Sequence, residues 1–561
     1  MPIKSVCKAC GGDFVIRDED KIFYDQMSAP LPHYCPDCRM ARRLSFRNER
    51  TLYKRACDLC KKESISLYPK VTTFPTYCHD CWWSDNWDPK TYSMDYDPNR
   101  PFVEQFGELL SKAPRILLNV VGTNLRSEYT NNSGDNKDCY LIFAAEQNED
   151  CMYGRLVQHC KACVDCAFIY DSEKCYECID GRKLYNCMFT EQCQSSTDLY
   201  FSYNCRDSTN AIFCTNGRHV SYQIENQPCT KEEFEAKREE IFASHESLEA
   251  AKKKFEELKA KCLVKFAVQT KCHDVSGSYL FNCYEGVQVF DTSSAKNCSY
   301  MADAEEPIDC MDCNNVYYKP ERCLDMMGIL QCNRAKHCTY VFYCNDIEYS
   351  DSCYNSNDLF GCCAIRKGGN MILNKPYEKA EYIAIRNKII EEMKRSGDYG
   401  QSIPPRFSPH GYNECLAKEY FPLSRDEAIA RGYKWQEETT GTYDKGTIPP
   451  KSVPTTIGEV NDSVLKEILE CAICRKNYRL TSAELGFYRQ MGLPIPRQDF
   501  ECRHQARMGK RTPRKLWHRS CMCKIATHDH SGQCQKEFET PYSTERGETL
   551  YCEDCFNREV A

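Results

Sequence analysis

The middle of the chain carries cysteines and apolar residues at intervals that are multiples of three. Between residues 139 and 214 the cysteines keep this spacing, and a stricter step of twelve runs from Cys139 to Cys187, with Leu199 and Ala211 continuing it. Asn, Asp and Ser, which favour turns, often precede these cysteines. Such regularity predicts a cysteine-rich, right-handed β-solenoid-like repeat region in which small side chains form ladders along the inside.

The length of one coil is left open between a twelve-residue and a twenty-four-residue repeat. Residues two apart in an extended strand share a face, so Cys151 and Tyr153 would point the same way, as would Cys166 and Phe168. A twelve-residue coil would be too thin to enclose such rings. The pattern therefore favours the twenty-four-residue coil, made of two similar halves.

A charged segment without glycine or proline separates two cysteine-rich blocks. Its apolar residues recur at helical spacing, which predicts one long exposed helix over 230–262. The blocks on either side are related by a constant offset, because Cys205 and Cys214 match Cys353 and Cys362. Both blocks are therefore expected to share one architecture.

The two ends of the chain carry cysteine pairs of the form CxxC and are also related by a constant offset, which aligns Cys7 with Cys471. A CxxC turn places two thiolates on one metal ion, and two such turns complete a tetrahedral shell, which predicts structural zinc. Rubredoxin-like iron is the alternative, because four thiolates also suit iron. Pairing in chain order is favoured over a cross-brace, since the segment between Cys38 and Cys57 leaves room for two separate folds. The N-terminal donors are Cys7, Cys10, Cys35, Cys38, Cys57, Cys60, Cys78 and Cys81.

The C-terminal copy departs from this pattern in two places. Asp499 stands where the N-terminal copy has Cys35, so this site either uses a carboxylate or is lost. The last site has one cysteine more than zinc needs, and His528 and His530 beside it are expected to be solvated loop residues. The predicted donors are Cys471, Cys474, Asp499 and Cys502 in one site and Cys521, Cys523, Cys534, Cys552 and Cys555 in the other. Three to four zinc ions are expected in the whole chain.

The predicted organisation is multidomain and β-rich, with zinc-ribbon or treble-clef modules at both ends of the repeat region. A short helix is also expected to begin at Ser424. The predicted parts are a tandem zinc module at 1–100, a connecting segment at 101–134, the first block at 135–229, the long helix at 230–262, the second block at 263–376, a helical closing segment at 377–436, a Thr/Pro/Gly-rich linker at 437–462 and a second zinc module at 463–561.

Composition points to a compartment and limits the classes of function. The chain has 561 residues, 42 cysteines and a formal net charge of −7. Disulfides would explain the cysteines of a secreted protein, but the opening residues contain no apolar signal segment and no apolar run is long enough to cross a membrane. A reducing, cytoplasmic location is therefore expected, with no membrane partner. The modest charge means that nucleic-acid binding would have to come from local patches.

One basic segment in each zinc module suits contact with phosphates. Both segments lie beside aromatic residues such as Phe46 and Trp517, and arginines close to aromatic rings are typical of RNA binding. The competing interpretation is a solvated basic helix, or salt bridges to acidic residues of the middle region. The candidate nucleic-acid-binding residues are Arg39, Arg42, Arg43, Arg47, Arg50 and Arg55 in the first segment and Arg503, Arg507, Arg511, Arg514 and Arg519 in the second.

These features favour a non-catalytic zinc-binding scaffold that binds nucleic acid, RNA more than DNA. A protein-interaction scaffold that uses the solenoid surface is the main alternative. A thiol or iron–sulfur redox protein is a lesser one, since Cys160, Cys163 and Cys166 resemble an iron–sulfur run but lack its Cys-Pro ending. No Walker A, HExxH, GxSxG or dinucleotide motif is present, so no enzymatic activity is expected.

Several motifs together resemble those of a group of cysteine-rich proteins from small-genome bacteria of the candidate phyla radiation. The motifs are CKACGGDF, CPDCR, RNERTLYKR, DCWWSDNWDP and KDCYLIF, with FGCC, ILNKPY and YNECLAKEYFPL later in the chain. The resemblance covers nearly the whole chain. It implies zinc-ribbon or treble-clef modules around a cysteine-rich middle, and it implies no activity.

Overall fold

The structure is a computed structural model, and it describes residues 2–293, 296–299, 311, 313, 324–326, 328–330, 340–437 and 441–560. The chain divides into two compact units. The second-block unit consists of Met1–Leu118, Ala267–Glu438 and Arg514–Leu516, and the first-block unit consists of Asn119–Phe266, Thr439–Pro513 and Trp517–Ala561. The N-terminal cysteines therefore share a unit with the second block, and most of the C-terminal module shares a unit with the first.

A ten-stranded sheet dominates the first-block unit. From Asn131 onward its neighbouring strands are parallel and pair at the twelve-residue step of the sequence, so that Arg155 pairs with Ala167 and Ala167 with Ile179. The last strand, Gln227–Pro228, returns antiparallel. Isolated parallel pairs between the strands keep the same step. The twelve-residue step is thus confirmed, and the preference for the twenty-four-residue coil is wrong.

The first-block unit has the following elements in the described residues. The strands are Val120–Val121, Asn131–Gly134, Phe143–Glu146, Arg155–Gln158, Ala167–Tyr170, Ile179–Tyr185, Gln194–Tyr200, Thr209–Ile212, Ser221–Ile224, Gln227–Pro228, Leu263–Lys265, Leu469–Glu470, Asn477–Tyr478, Trp517–Ser520, Glu537–Thr540 and Thr549–Tyr551. The α-helices are Lys231–Phe242, His245–Lys261, Ser482–Met491, Phe500–Met508 and Glu553–Val560.

A left-handed backbone conformation at every third residue explains why the interpretation with the longer coil failed. Tyr153, Phe168 and Phe189, for example, have φ angles of 57°, 55° and 55°. Such a conformation costs an L-residue about 1–2 kcal/mol, and it interrupts the simple alternation of strand faces. The aromatic rings therefore do not point into the core that the cysteines form. Phe189 stacks on Phe201 with ring centroids 4.6 Å apart, and Tyr153 lies 6.0 Å from Phe500.

The cysteines of the first block form a buried core. All of those from Cys139 to Cys214 are at most 3% exposed, and they share this core with apolar residues such as Val157 and Leu199. Their thiols contact backbone carbonyl groups; Cys163, for example, donates to the carbonyl oxygen of Lys161 at 3.4 Å. The prediction that these cysteines are buried like small apolar side chains is confirmed.

The single long helix predicted over 230–262 is wrong, because the segment forms two helices, Lys231–Phe242 and His245–Lys261. Ser244 begins the second helix, where its hydroxyl accepts a hydrogen bond from the backbone N–H of Ser247 at 3.1 Å. Serine is a favourable N-cap because its side chain satisfies a backbone donor that has no partner within the helix. The segment is also not fully exposed, since Phe255 is buried.

The second-block unit contains shorter sheets. Its parallel strands again pair at the twelve-residue step, as Val341 does with Cys353 and Asn345 with Asn357. Cys344, Cys353 and Cys362 are buried, as the core cysteines of the first block are. Four other cysteines of this block lie outside the described residues, namely Cys310, Cys323, Cys332 and Cys338.

The second-block unit has the following elements in the described residues. The strands are Ile3–Val6, Asp13–Ile16, Tyr53–Ala56, Glu63–Ser66, Thr76–Tyr77, Arg115–Ile116, Gln269–Thr270, His273–Phe281, Tyr284–Ser293, Lys296–Ser299, Ile329–Leu330, Val341–Phe342, Asn345–Glu348, Cys353–Tyr354, Ser356–Phe360, Gly368–Ile372 and Lys375–Pro376. The α-helices are Asp18–Gln26, Pro36–Leu44, His79–Trp83, Phe102–Leu110, Lys379–Ser396, Ala417–Tyr420 and Arg425–Ala430.

One aromatic core joins the N-terminal module to the second block within this unit. Trp82 and Phe102 from the N-terminal part pack in the same cluster as Phe360 and Ile389. The helix expected from Ser424 is confirmed, since Ser424 caps the helix Arg425–Ala430. None of the helices in the described ranges is both long and apolar enough to cross a membrane.

Candidate metal centres

The first N-terminal donor group is built from a β-hairpin and the start of a helix. Two of its cysteines lie in the turn between the strands Ile3–Val6 and Asp13–Ile16, and two lie at the start of the helix Pro36–Leu44. Cys35 is the N-cap residue of that helix. The four sulfur atoms all lie within 4.8 Å of one another, and they belong to Cys7, Cys10, Cys35 and Cys38.

The second N-terminal donor group repeats this plan. Its hairpin consists of the strands Tyr53–Ala56 and Glu63–Ser66, and its helix is His79–Trp83. The N-cap residue Cys78 donates its backbone N–H to the sulfur of Cys57 at 3.3 Å. The four sulfurs belong to Cys57, Cys60, Cys78 and Cys81. The predicted pairing in chain order is therefore confirmed over the cross-brace.

The distances between the sulfurs fit a tetrahedral ion. Bonds of about 2.3 Å from a tetrahedral metal ion to each thiolate place the sulfurs about 3.8 Å apart. The sulfurs of Cys10 and Cys35 are 3.8 Å apart, and so are those of Cys60 and Cys78. Four such donors fill a tetrahedral shell, which is the arrangement of a structural site.

Each N-terminal group contains one readily ionised thiol. A hydrogen bond from the thiol of Cys38 lowers the pKa of Cys35 to about 5, and the pKa of Cys38 rises in return. Burial acts to raise the pKa of Cys57, but backbone N–H groups of Cys60 and Cys78 outweigh it and lower that pKa to about 7. A divalent cation would displace the remaining thiol protons, since metals bind the thiolate form.

Asp499 stands with three cysteines in the third group, at the position that Cys35 has in the first group. This arrangement fits the carboxylate alternative of the two that the sequence left open. Asp499 caps the helix Phe500–Met508, where its Oδ1 accepts the backbone N–H of Cys502 at 3.0 Å, and its Oδ2 accepts the thiol of Cys474 at 2.8 Å. Burial acts to raise the pKa of Asp499, but these hydrogen bonds bring it below its ordinary value. An ionised carboxylate can ligate zinc. The group consists of Cys471, Cys474, Asp499 and Cys502.

The fourth group returns to four cysteines. Two of them lie between the antiparallel strands Trp517–Ser520 and Glu537–Thr540, and two lie at the start of the helix Glu553–Val560. The backbone N–H of Cys552 donates to the sulfur of Cys521 at 3.2 Å, as Cys78 does to Cys57 in the second group. The group consists of Cys521, Cys534, Cys552 and Cys555.

The expectation that the C-terminal histidines are solvated loop residues is wrong for His528, which is buried, while His530 is only partly exposed. His528 is only 8% exposed, and its Nδ1 lies 3.2 Å from the sulfur of Cys523. His530 points its Nε2 at the sulfur of Cys555, 3.6 Å away. A cysteine followed closely in the chain by two histidines is a short Cys/His-rich tract, which was the available signal for a metal site.

The first basic segment is largely buried. The Nη1 atom of Arg43 lies 2.8 Å from a carboxylate oxygen of Asp325, and the Nε atom of Arg47 lies 2.6 Å from one of Glu49. Arg50 is partly exposed. The arginines of this segment that are at most 9% exposed are Arg39, Arg42, Arg43, Arg47 and Arg55.

The second basic segment is held in the same way. Arg503 and Arg507 both reach the carboxylate of Asp165, at 3.0 and 2.8 Å, and Arg511 lies 2.9 Å from Asp180. In the second-block unit, the Nε atom of Arg514 lies 2.7 Å from Asp291. Arg519 is partly exposed and donates to the carbonyl oxygen of Ser543 at 3.1 Å.

Salt bridges with acidic residues of the middle region thus account for several of these arginines. A buried guanidinium whose donors already hold a carboxylate is not presented to phosphate oxygens. The interpretation of Arg43, Arg503, Arg507, Arg511 and Arg514 as an open nucleic-acid surface is therefore not supported by where they lie.

No protein-family model matches the chain, and none of the curated proteins matches it. The resemblance to proteins of the candidate phyla radiation stays a prediction. The metal centres are therefore assigned from their donor atoms alone, which are cysteine sulfurs, one carboxylate and two imidazoles.

Proposed function

We propose that the protein is a non-catalytic, zinc-stabilised scaffold that presents the surface of a repeat region to a protein partner. The observation that carries this proposal has two parts. Each metal group offers four donor atoms, and the basic side chains bind carboxylates of the same chain. Both features use reactive groups to hold the fold together. Neither leaves these groups available for a reaction or for phosphate contact.

A right-handed β-solenoid with twelve-residue coils is supported by parallel pairing along the whole repeat. Within one repeat, Glu149 pairs with Lys161, Met152 with Val164 and Arg155 with Ala167, so that every third residue meets its equivalent in the next repeat. This is the pairing expected of a chain that winds once in each repeat. Solenoids present long, regular surfaces to their partners.

Treble-clef or zinc-ribbon modules are supported by the hairpin-and-helix plan of the metal groups. Cysteine-rich tetrahedral donor sets of this kind favour zinc in proteins, and iron is the alternative ion. Folding and metal binding are coupled in such modules. Elemental analysis of the full chain, purified without oxygen, is expected to find zinc, and iron in its place would overturn the assignment of the ion.

The exposed surface proposed for a partner is a charge ladder formed by Lys137, Glu149 and Lys161. The ammonium group of Lys137 lies 2.5 Å from the carboxylate of Glu149, and that of Lys161 lies 3.4 Å from it. Exposed pairs of this kind contribute at most about 1 kcal/mol each to stability. Regular spacing of opposite charges suits recognition, because electrostatic complementarity gives specificity more than affinity.

The scaffold can be tested by reversing this ladder without breaking its internal pairs. The variant Lys137→Glu, Glu149→Lys, Lys161→Glu inverts the pattern that a partner meets. The further change Glu173→Lys keeps opposite charges adjacent, because Lys161 pairs with Glu173 in the next repeat. A tagged full-length chain is used to capture partners from two parallel lysates, one treated with nuclease and one untreated. We expect the wild type to retain a defined protein and the reversed variant to lose it. Inversion of an exposed helical pair, Lys237→Glu with Glu240→Lys, is the control and should leave capture unchanged.

Two outcomes would overturn this function. One is capture of the same proteins by the reversed ladder and the wild type, because the ladder would then not be the recognition surface. The other is co-purification of RNA that nuclease removes together with every bound protein. That result would restore the nucleic-acid interpretation, in which binding weakens steeply as salt rises.

A further inference from the structure

We infer that the C-terminal module holds two metal ions that share the thiolate of Cys555. One ion would be bound by the four-cysteine group that ends at Cys555. The second would be bound by Cys523, His528, His530 and Cys555, whose donor atoms also lie within 4.8 Å of one another. The inference rests on the proposed zinc binding and adds a site to it.

The number of donors fits two tetrahedral ions. Two separate tetrahedral sites require eight metal–donor bonds. If one thiolate bridges, seven side chains supply them. The module brings together seven such side chains, which are Cys521, Cys523, Cys534, Cys552, Cys555, His528 and His530. Cys523, which a single zinc ion would not need, is then a ligand of the second ion.

The distances within the second set fit coordination. With bonds of about 2.3 Å to sulfur and about 2.05 Å to nitrogen, a tetrahedral ion places its sulfur and nitrogen donors about 3.6 Å apart. The Nε2 atom of His530 lies 3.6 Å from the sulfur of Cys555, and the Nδ1 atom of His528 lies 3.2 Å from that of Cys523. Both cysteines are buried.

Each histidine also has an outer hydrogen-bond partner on its other ring nitrogen. The Nε2 atom of His528 lies 3.2 Å from a carboxylate oxygen of Glu559, and the Nδ1 atom of His530 lies 3.0 Å from the carbonyl oxygen of Gly532. These acceptors place the ring proton on the outer nitrogen, which leaves the inner nitrogen's lone pair directed at the sulfurs. Metal-ligating histidines are characteristically oriented in this way.

The position of the donors in the chain supports the same conclusion. The spacing from Cys521 to Cys534 is much longer than the matching spacing from Cys57 to Cys60. The longer segment contains Cys523, His528 and His530. The segment that distinguishes this module from its N-terminal counterpart is therefore the one that supplies a second set of donors.

The test is the metal content of the full chain, compared between variants. The double variant His528→Ala, His530→Ala is expected to bind one zinc ion fewer per chain than the wild type. Cys523→Ser is expected to have the same effect. The control is His518→Ala, which removes an exposed histidine of the same module and should leave the count unchanged. Since only differences are compared, the occupancy of the Asp499 site does not enter.

A second measurement addresses the shared thiolate. The chain is loaded with cadmium-113, and its resonances are recorded for the wild type and the double variant. Two mutually coupled resonances are expected in the wild type, one of which disappears from the double variant while the other persists. That persistence would also show that the four-cysteine site of the variant still folds.

Two results would overturn the inference. An equal metal content in the wild type and the double variant would mean that these histidines make hydrogen bonds only, while the zinc scaffold itself would stand. Loss of one ion without coupling between two cadmium resonances would refute the bridge through Cys555. A wild type that binds no metal would instead refute the proposed zinc stabilisation.

Discussion

Replacement of Arg507 by methionine tests whether the basic segments stabilise the fold through buried ion pairs, a role called here an internal clamp. The side chain of Arg507 is 1% exposed, and its guanidinium lies 2.8 Å from the fully buried carboxylate of Asp165 and 3.2 Å from that of Glu177. It also donates to the carbonyl oxygen of Tyr153 at 3.2 Å. Methionine keeps most of the apolar stem but removes all of these donors.

The expected loss of stability follows from the charges left behind. Removing one partner of a buried ion pair costs about 3–5 kcal/mol, because the other charge stays buried without compensation. Arg503 still reaches Asp165 at 3.0 Å, so we expect the lower end, about 3 kcal/mol. With a urea slope of about 3 kcal/mol per molar, the midpoint of unfolding would fall by about 1 M.

The matched control is Arg489→Met in the same unit. Arg489 forms an exposed pair with Asp462 at 2.7 Å, and exposed pairs contribute about 1 kcal/mol or less. Urea unfolding of both full-length variants is followed by circular dichroism, with zinc present and oxygen excluded. The two variants should differ in midpoint by most of the predicted shift.

A double-mutant cycle with Asp165→Asn isolates the ion pair. Residues that share one charged network have interaction energies of about 0.5–3 kcal/mol, so the double variant should be less destabilised than the sum of the single ones. Equal effects of Arg507→Met and Arg489→Met, or strict additivity with Asp165→Asn, would refute the clamp.

Further predictions concern the metal centres, pH and helix capping. Cys60→Ser should remove one metal ion per chain, whereas Cys229→Ser, outside every donor group of the described residues, should keep the full count in elemental analysis. Burial lowers the pKa of His410 to about 3, so folding favours the neutral imidazole. Stability is therefore intact above about pH 6.5 and falls by up to about 1.4 kcal/mol per pH unit below it. In acid titrations monitored by circular dichroism, His410→Gln should lose part of this dependence, and an unchanged profile would contradict it. Ser244→Ala should cost about 1 kcal/mol in urea unfolding by removing the N-cap of the second helix, and a loss below a few tenths would argue against the cap.

The metal groups were predictable because the closeness of the two cysteine ligands in a CxxC turn depends only on a few neighbouring residues. The spacing itself brings Cys7 close to Cys10 and Cys57 close to Cys60, and the packing of hairpin on helix then completes each shell. The duplication aligned Asp499 with Cys35 and so identified it as a candidate donor, but the sequence left open whether that site was lost. His528 and His530 have no counterpart in the N-terminal copy, so the duplication could not identify them.

The coil length was not predictable by the rule of alternating strand faces. That rule assumes uniform extended backbone, whereas residues such as Phe168 adopt a left-handed conformation at every third position. The recurrence of small buried residues at multiples of three was already visible in the sequence. The error lay in placing the aromatic rings inside the coil with the cysteines; the rings are buried outside that cysteine core.

The sequence by itself determined the local chemistry of this protein: four cysteine pairs at the N-terminus, an altered copy at the C-terminus and a step of twelve between them. These follow from chain geometry over a few residues. Only the tertiary structure decided that the N-terminal module packs with the second block, and that Arg507 binds Asp165, a carboxylate from a distant part of the chain. The physical reason is that burial, not spacing, selects such partners, because a charge removed from water must meet its counterion wherever the fold brings one.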